Sequence, residues 1–190
     1  MSQIRPNKAE KEILNLAYNR FYDIFEEIIS DSFWRKNGYY RFNKIRECFL
    51  IYSELLDYLP IRWALEYIKK ARPPIEEKIG RDLFKVIRNL LVHFPFFNNW
   101  NEVWFSKSLV NWCKDDQSID KFFKAYEKHD PIKYRIWDAD KRKMTYISIN
   151  FPTQYSEDKK IYLKNILTER DGVKFSIIFM KKILDTQVEK

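Results

Sequence analysis

The spacing of apolar residues changes after Pro131, and the change limits what the chain can fold into. In the first two thirds, apolar residues recur every three or four positions. Leu14, Ala17, Tyr18, Phe21, Phe25 and Ile28 form one such stripe. Ile45, Cys48, Phe49, Tyr52, Leu55, Leu56 and Leu59 form a second, and Ile79, Leu83, Val86, Ile87, Leu90 and Leu91 a third. Each reads as a helix that buries one face. After Pro131 the period falls to two. Ile132, Tyr134 and Ile136 alternate with Lys133, Arg135 and Trp137, and Thr145, Ile147, Ile149 and Phe151 alternate with Met144, Tyr146, Ser148 and Asn150. Two strands flanking Asp138-Ala139-Asp140-Lys141-Arg142 make a hairpin. The expected fold class is mainly α: a helical bundle with a C-terminal β-hairpin and additional helices.

Capping residues and prolines set the expected boundaries. Asn7 followed by Glu10 has the capping-box pattern and opens a helix of about 20 residues. Ser30 to Gly38 interrupts it, with Phe33 and Trp34 packing as a lid on the core. A second helix is expected from about Tyr40 to Leu59. Pro60 suits the first position of the next element, which continues through Trp63, Ala64, Tyr67 and Ile68. Ala71-Arg72-Pro73-Pro74 ends it, because proline disfavours a helical residue before it. The next helix starts near Ile75 and stops at or before Phe94, which precedes Pro95. Phe94 to Trp100 reads as an aromatic, Asn-rich turn. Further helices are expected over Glu102–Cys113, Gln117–Lys128 and Ser156–Glu169. Asp171-Gly172 breaks the chain before a last segment, Val173–Leu184, read as helix rather than strand. Residues 1–130 would form the bundle, with residues 131–190 packed on it in one compact domain.

Composition excludes several function classes. Only 3 glycines occur among 190 residues, and neither a P-loop nor a dinucleotide fingerprint is present. Aromatic residues at 17% supply enough buried area to argue against disorder. Cys48 and Cys113 sit in apolar, helical segments and read as buried reduced thiols of a cytoplasmic protein. With two Cys and two distant His, no metal-ligand spacing exists. No secretory h-region and no membrane-length apolar run is found, so no membrane partner is expected. The net charge of +8 favours a polyanion, nucleic acid first, although a merely basic surface gives the same number.

Within the third stripe lies Arg88-Asn89-x-x-x-His93. An Arg-polar-x-x-x-His motif late in a core helix of a small all-helical domain resembles the HEPN domain (higher eukaryotes and prokaryotes nucleotide-binding). The resemblance covers residues 8 to 127 and rests on this motif and the helices around it. It implies a HEPN-like bundle acting as a metal-independent endoribonuclease without cofactor, working as a homodimer, in a toxin or antiphage setting with an antitoxin or inhibitor protein as possible partner. By the same resemblance His93 acts as acid or base and Arg88 stabilises the scissile phosphate.

The chemistry suits those residue types. Metal-free RNA cleavage needs a base for the 2′-OH, a cation for the five-coordinate phosphate and an acid for the leaving oxygen. Imidazole titrates near neutrality, and a guanidinium offers a planar fork for two phosphate oxygens. Asn89 lies four residues before His93 on the same helical face, where its amide can orient the imidazole or meet the phosphate. Arg88 and His93 are rotated by roughly 140° on an ideal helix. The length of Arg and an unwinding of the last turn by Pro95 would relieve this, and a two-fold dimer would supply the missing groups. Lys85, Arg81, Lys141, Arg142 and Lys143 are candidate RNA contacts. Plainer readings stand beside these. His93 suits a satisfied core position, Arg88 lies opposite the apolar stripe as a solvated arginine would, and Asn89 could cap backbone. Lys141–Lys143 could be a charged strand end. Tyr39, Tyr40, Phe96, Phe97 and Trp100 fit packing better than base stacking. A non-catalytic nucleic-acid- or nucleotide-binding module and a helical protein-interaction module are the alternative functions.

Overall fold

The computed structural model describes residues 6–56, 58–93, 97–105, 118–126, 131–138, 141–151 and 160–187. Seven α-helices occur among them: α1 (Lys8–Ile29), α2 (Asp31–Arg35), α3 (Gly38–Leu55), α4 (Leu59–Lys70), α5 (Pro74–His93), α6 (Ser118–Tyr126) and α7 (Glu169–Gln187). The strands are β1 (Trp104–Phe105), β2 (Ile132–Asp138), β3 (Lys143–Ile149) and β4 (Ile161–Tyr162). The fold is mainly helical with a small antiparallel hairpin, as the change of period predicts.

Local signals explain the starts of the first helices. The Asn7 side chain accepts from the Glu10 amide at 3.0 Å, and the Glu10 carboxylate accepts from the Asn7 amide at 2.8 Å. This completes the predicted box. Asn37 caps α3 by accepting from the Tyr40 amide at 2.8 Å. The break after Ser30 holds a short helix, α2, whose Phe33 is buried. Pro60 sits in the first turn of α4, so Leu59 belongs to that helix and not to the end of α3.

The motif helix α5 lies at the centre. Ile79, Leu83, Val86, Ile87, Leu90 and Leu91 are all buried, as their spacing requires. Phe84 adds a further buried contact. Its ring stacks on Phe49 of α3 at 5.4 Å and meets Tyr52 edge-on at 4.8 Å, while Phe179 of α7 lies at 4.9 Å. Two other helices, α3 and α7, therefore share one ring of α5.

The hairpin pairs Ile132 with Ile149, Tyr134 with Ile147 and Ile136 with Thr145 on its inner face. Tyr134, Ile136, Ile147 and Ile149 are buried there. Tyr134 covers Gly80 of α5 so closely that a Cβ would sit 2.9 Å from its ring. The Arg72 guanidinium lies 4.5 Å over the Tyr134 ring and donates to the Arg135 carbonyl at 2.9 Å. Glu76 accepts from Arg135 Nε at 2.6 Å. These contacts fix the hairpin to the first turns of α5.

Three expectations fail. Residues Trp104–Phe105 are not helical; they pair antiparallel with Ile161–Tyr162, and the Leu163 amide donates to the Val103 carbonyl at 2.7 Å. Two adjacent aromatics suit a strand. Residues 106–113 of that expected helix, Cys113 included, lie outside the described residues. The helix expected over Ser156–Glu169 is also absent where the chain is described: residues 161–165 form β4 and a 3-10 turn. Residues 152–159 lie outside the described residues. The true start is Thr168, whose hydroxyl accepts from the Asp171 amide at 3.2 Å and opens α7. Asp171-Gly172 is then no break but part of the first turns of α7. Trp100 explains the glycine, since its indole rests where a Cβ on Gly172 would project, and its Nε1 donates to the Leu167 carbonyl at 3.2 Å. Close approach of a tryptophan outweighs the roughly 1 kcal/mol helix cost of glycine.

Candidate functional site

Arg88 sits at the border of the buried arc of α5. Phe84, four residues before it, and Leu91, three after it, are both buried, so the arc is wider than the periodic stripe implies. Arg88 is partly buried as a result, which corrects the reading of it as an ordinary solvated arginine. Its Nε and Nη2 both donate to Asn89 Oδ1, at 3.2 Å and 2.9 Å. Burial pushes its pKa below the ordinary arginine range, with Tyr52 acting the other way. Among the described residues no carboxylate pairs with it. A cation that is partly desolvated without a counter-charge is destabilising, and an anion in that place would offset the loss.

Tyr52 of α3 is the neighbour that the sequence places only in the core stripe. It lies within electrostatic reach of Arg88, and burial pushes its phenol well above the usual tyrosine range. Its hydroxyl is buried and has no hydrogen-bond partner among the described residues. A tyrosine among Phe, Ile and Leu positions of α3 is the only sequence signal for it. Guanidinium, amide and phenol thus converge at the contact between α3 and α5.

The backbone of α5 stays α-helical through His93, and the His93 side chain lies outside the described residues. No unwinding occurs before His93, so the rotation of roughly 140° between Arg88 and His93 stands. Phe94, Pro95, Phe96 and His129 also lie outside the described residues.

The other candidates fall into two groups. Arg81, Lys85 and Arg88, spaced by four and three, share a face of α5. Lys85 is exposed, and Arg81 lies 3.3 Å from Asp82, which also accepts from the Tyr126 hydroxyl at 3.1 Å. Lys141, Arg142 and Lys143 are exposed at the hairpin turn, where Asp138 accepts from the Lys141 amide at 3.1 Å. The structure joins Arg88 to Asn89 directly and sets the hairpin cluster on a separate element.

Of the aromatics weighed for stacking, Trp100 is buried, Phe97 packs edge-on to Trp104 at 5.6 Å, and Tyr40 bonds Glu27. Only Tyr39 among the described ones is well exposed. Other exposed aromatics among the described residues are Trp63 and Tyr67 on α4, and Trp137 and Tyr146, both in the solvent phase of the strand alternation.

Cys48 is a free, buried thiol whose pKa burial pushes up to about 12, which leaves it inert. Among the described residues no group of three or more His, Cys, Asp or Glu could hold a metal ion, and no helix is long and apolar enough to cross a membrane. No protein-family model, curated protein or solved structure matches the chain.

Proposed function

We propose that this chain is a metal-independent endoribonuclease of the HEPN type that works as a homodimer. The observation that carries the reading is Arg88: a partly buried guanidinium on the motif helix with no carboxylate partner among the described residues. Asn89 Oδ1 takes two of its N–H groups and fixes the plane of the fork, leaving Nη1 and the remaining Nη2 proton for phosphate oxygens. The net charge of +8 suits the same substrate.

In the proposed reaction, the imidazole of His93 takes the 2′-OH proton. The 2′-oxygen bonds to phosphorus while the bond from phosphorus to the 5′-oxygen breaks. A second imidazolium, from the His93 of the other copy, gives its proton to the leaving 5′-oxygen. Arg88 holds the charge that builds on the non-bridging oxygens. Because the backbone of α5 is helical through residue 93, positions 88 and 93 are rotated by roughly 140° on the helix, and in the proposed dimer the two-fold pairing of motifs supplies both sides of the cleft.

Purified protein incubated with mixed RNA in EDTA tests this. Wild type is expected to cleave, and His93→Ala and Arg88→Ala each to lower the rate by about a hundredfold or more. Binding without cleavage by wild type overturns the enzyme reading in favour of a binding module. A chain that stays monomeric while cleaving overturns the shared site.

A further inference from the structure

The outer face of the hairpin carries the side chains that the inner face does not use. The register places Lys133 beside Ser148, Arg135 beside Tyr146 and Trp137 beside Met144 on that face. Trp137 and Tyr146 are 55% and 56% exposed, unusual for two large rings one diagonal step apart on a sheet. Basic residues bracket them: Lys133 and Arg135 along β2, and Lys141, Arg142 and Lys143 at the turn. Over residues 132–149 the chain has five Lys or Arg against two Asp. Arg142 also holds a left-handed backbone conformation, φ 46, where Gly or Asn is the usual residue. An arginine kept at that conformational cost points to use of its charge.

We infer that this face is a stacking platform for single-stranded RNA, with bases lying on Trp137 and Tyr146 and the phosphates running past Lys133 and the turn cations. The inference rests on the reading above for RNA as the partner and names its form. Flat rings on an open sheet accept unpaired bases of any sequence, whereas a duplex keeps its bases stacked on one another. The charge balance selects a polyanion over an apolar protein surface. The platform stands on the first turns of α5 through Tyr134, Glu76 and Arg72, and Arg81 and Lys85 follow along that helix before Arg88.

The probe is a fluorescently labelled 2′-O-methyl oligouridine, which has no free 2′-OH and cannot be cleaved by the proposed route. Fluorescence anisotropy is expected to show Trp137→Ala and Tyr146→Ala each binding roughly tenfold more weakly than wild type. Trp137→Phe keeps a flat ring and is expected to stay within about threefold. Lys133→Ser is expected to flatten the salt dependence without removing the stacking preference. All four changes lie on the solvent face, and a melting temperature for each checks the fold. Equal affinity of Trp137→Ala/Tyr146→Ala and wild type overturns the platform. So does equal affinity for a duplex of the same length, or a loss of self-association in sedimentation with RNA affinity unchanged, which would assign the face to a second protein chain. The two readings separate cleanly. RNA binding lost in Trp137→Ala with no cleavage by wild type keeps the platform and removes the nuclease. Cleavage lost in His93→Ala with oligouridine binding indifferent to Trp137 does the reverse.

Discussion

Two partly buried arginines in this molecule are treated in opposite ways. Arg41, on α3, meets Glu169 at the start of α7 with both arms of its fork, Nε to Oε1 at 2.8 Å and Nη2 to Oε2 at 3.2 Å. Its Nη1 reaches the Lys36 carbonyl. Arg88, on α5, has an uncharged amide and a phenol. The first arrangement joins two helices and engages all three guanidinium nitrogens. The second leaves a positive charge with no carboxylate partner among the described residues, near the end of the helix that carries the His motif. One arginine at a helix junction is matched by a carboxylate, and the proposed function assigns the other to an external anion.

The strongest way to break this contrast is at Arg41. Arg41→Ala would leave the Glu169 carboxylate, 18% exposed, without its partner and strip a donor from the Lys36 carbonyl. The expected loss is about 2–3 kcal/mol of stability, which is several degrees in melting temperature for a chain of this size. RNA cleavage per folded molecule should be unchanged. A cleavage defect equal to that of Arg88→Ala, with the fold intact, would show that the paired arginine is functional too.

Arg88→Met asks the converse question and should move stability less. The thioether keeps the length of the stem while removing an uncompensated charge, so stability should hold or rise, by up to about 1 kcal/mol. Inorganic phosphate should raise the melting temperature of wild type and not that of Arg88→Met. A loss of more than about 1 kcal/mol in Arg88→Met would make Arg88 a structural residue and remove the main support for the nuclease reading.

The difference between the two arginines was only half legible in the sequence. The helices with six or seven apolar residues in register, α3 and α5, could be read because periodicity alone decides them. The hairpin was legible for the same reason. Thr168 was passed over because Ser156-Glu157-Asp158 carries a stronger-looking start signal, and Gly172 read as a breaker because nothing local announces Trp100, 72 residues away. The burial of Arg88 depends on a long-range effect of the same kind. A helical wheel puts it opposite Ile79, Leu83 and Leu90, but Phe84 extends the buried face towards it, and Tyr52 arrives from another helix. The motif residues themselves could be named from sequence, whereas the electrostatic state of Arg88 could not. Trp137 and Tyr146 lie in the outward phase of the alternation, which fixes their face but not their degree of exposure.

The smallest expected effect concerns acid, and it sharpens the contrast by acting on one side only. Glu27, near the end of α1, accepts from the Tyr40 hydroxyl and from Lys36 Nζ, and Lys44 Nζ lies 3.3 Å away. These partners, the Tyr40 bond first, hold its carboxyl at about 2, below the ordinary 4.5. The unfolded chain therefore takes up this proton at higher pH than the folded one. The stabilisation from Glu27 is fully present above 4.5 and is lost as pH falls through about 2. Melting temperature should decline across that window, and Glu27→Gln should flatten part of the decline. Arg88 stays charged throughout, so Arg88→Met should show the same slope as wild type, offset in height. A slope that changes in Arg88→Met would mean that a carboxylate does serve Arg88 in solution, and the distinction between the paired and the unpaired arginine would collapse.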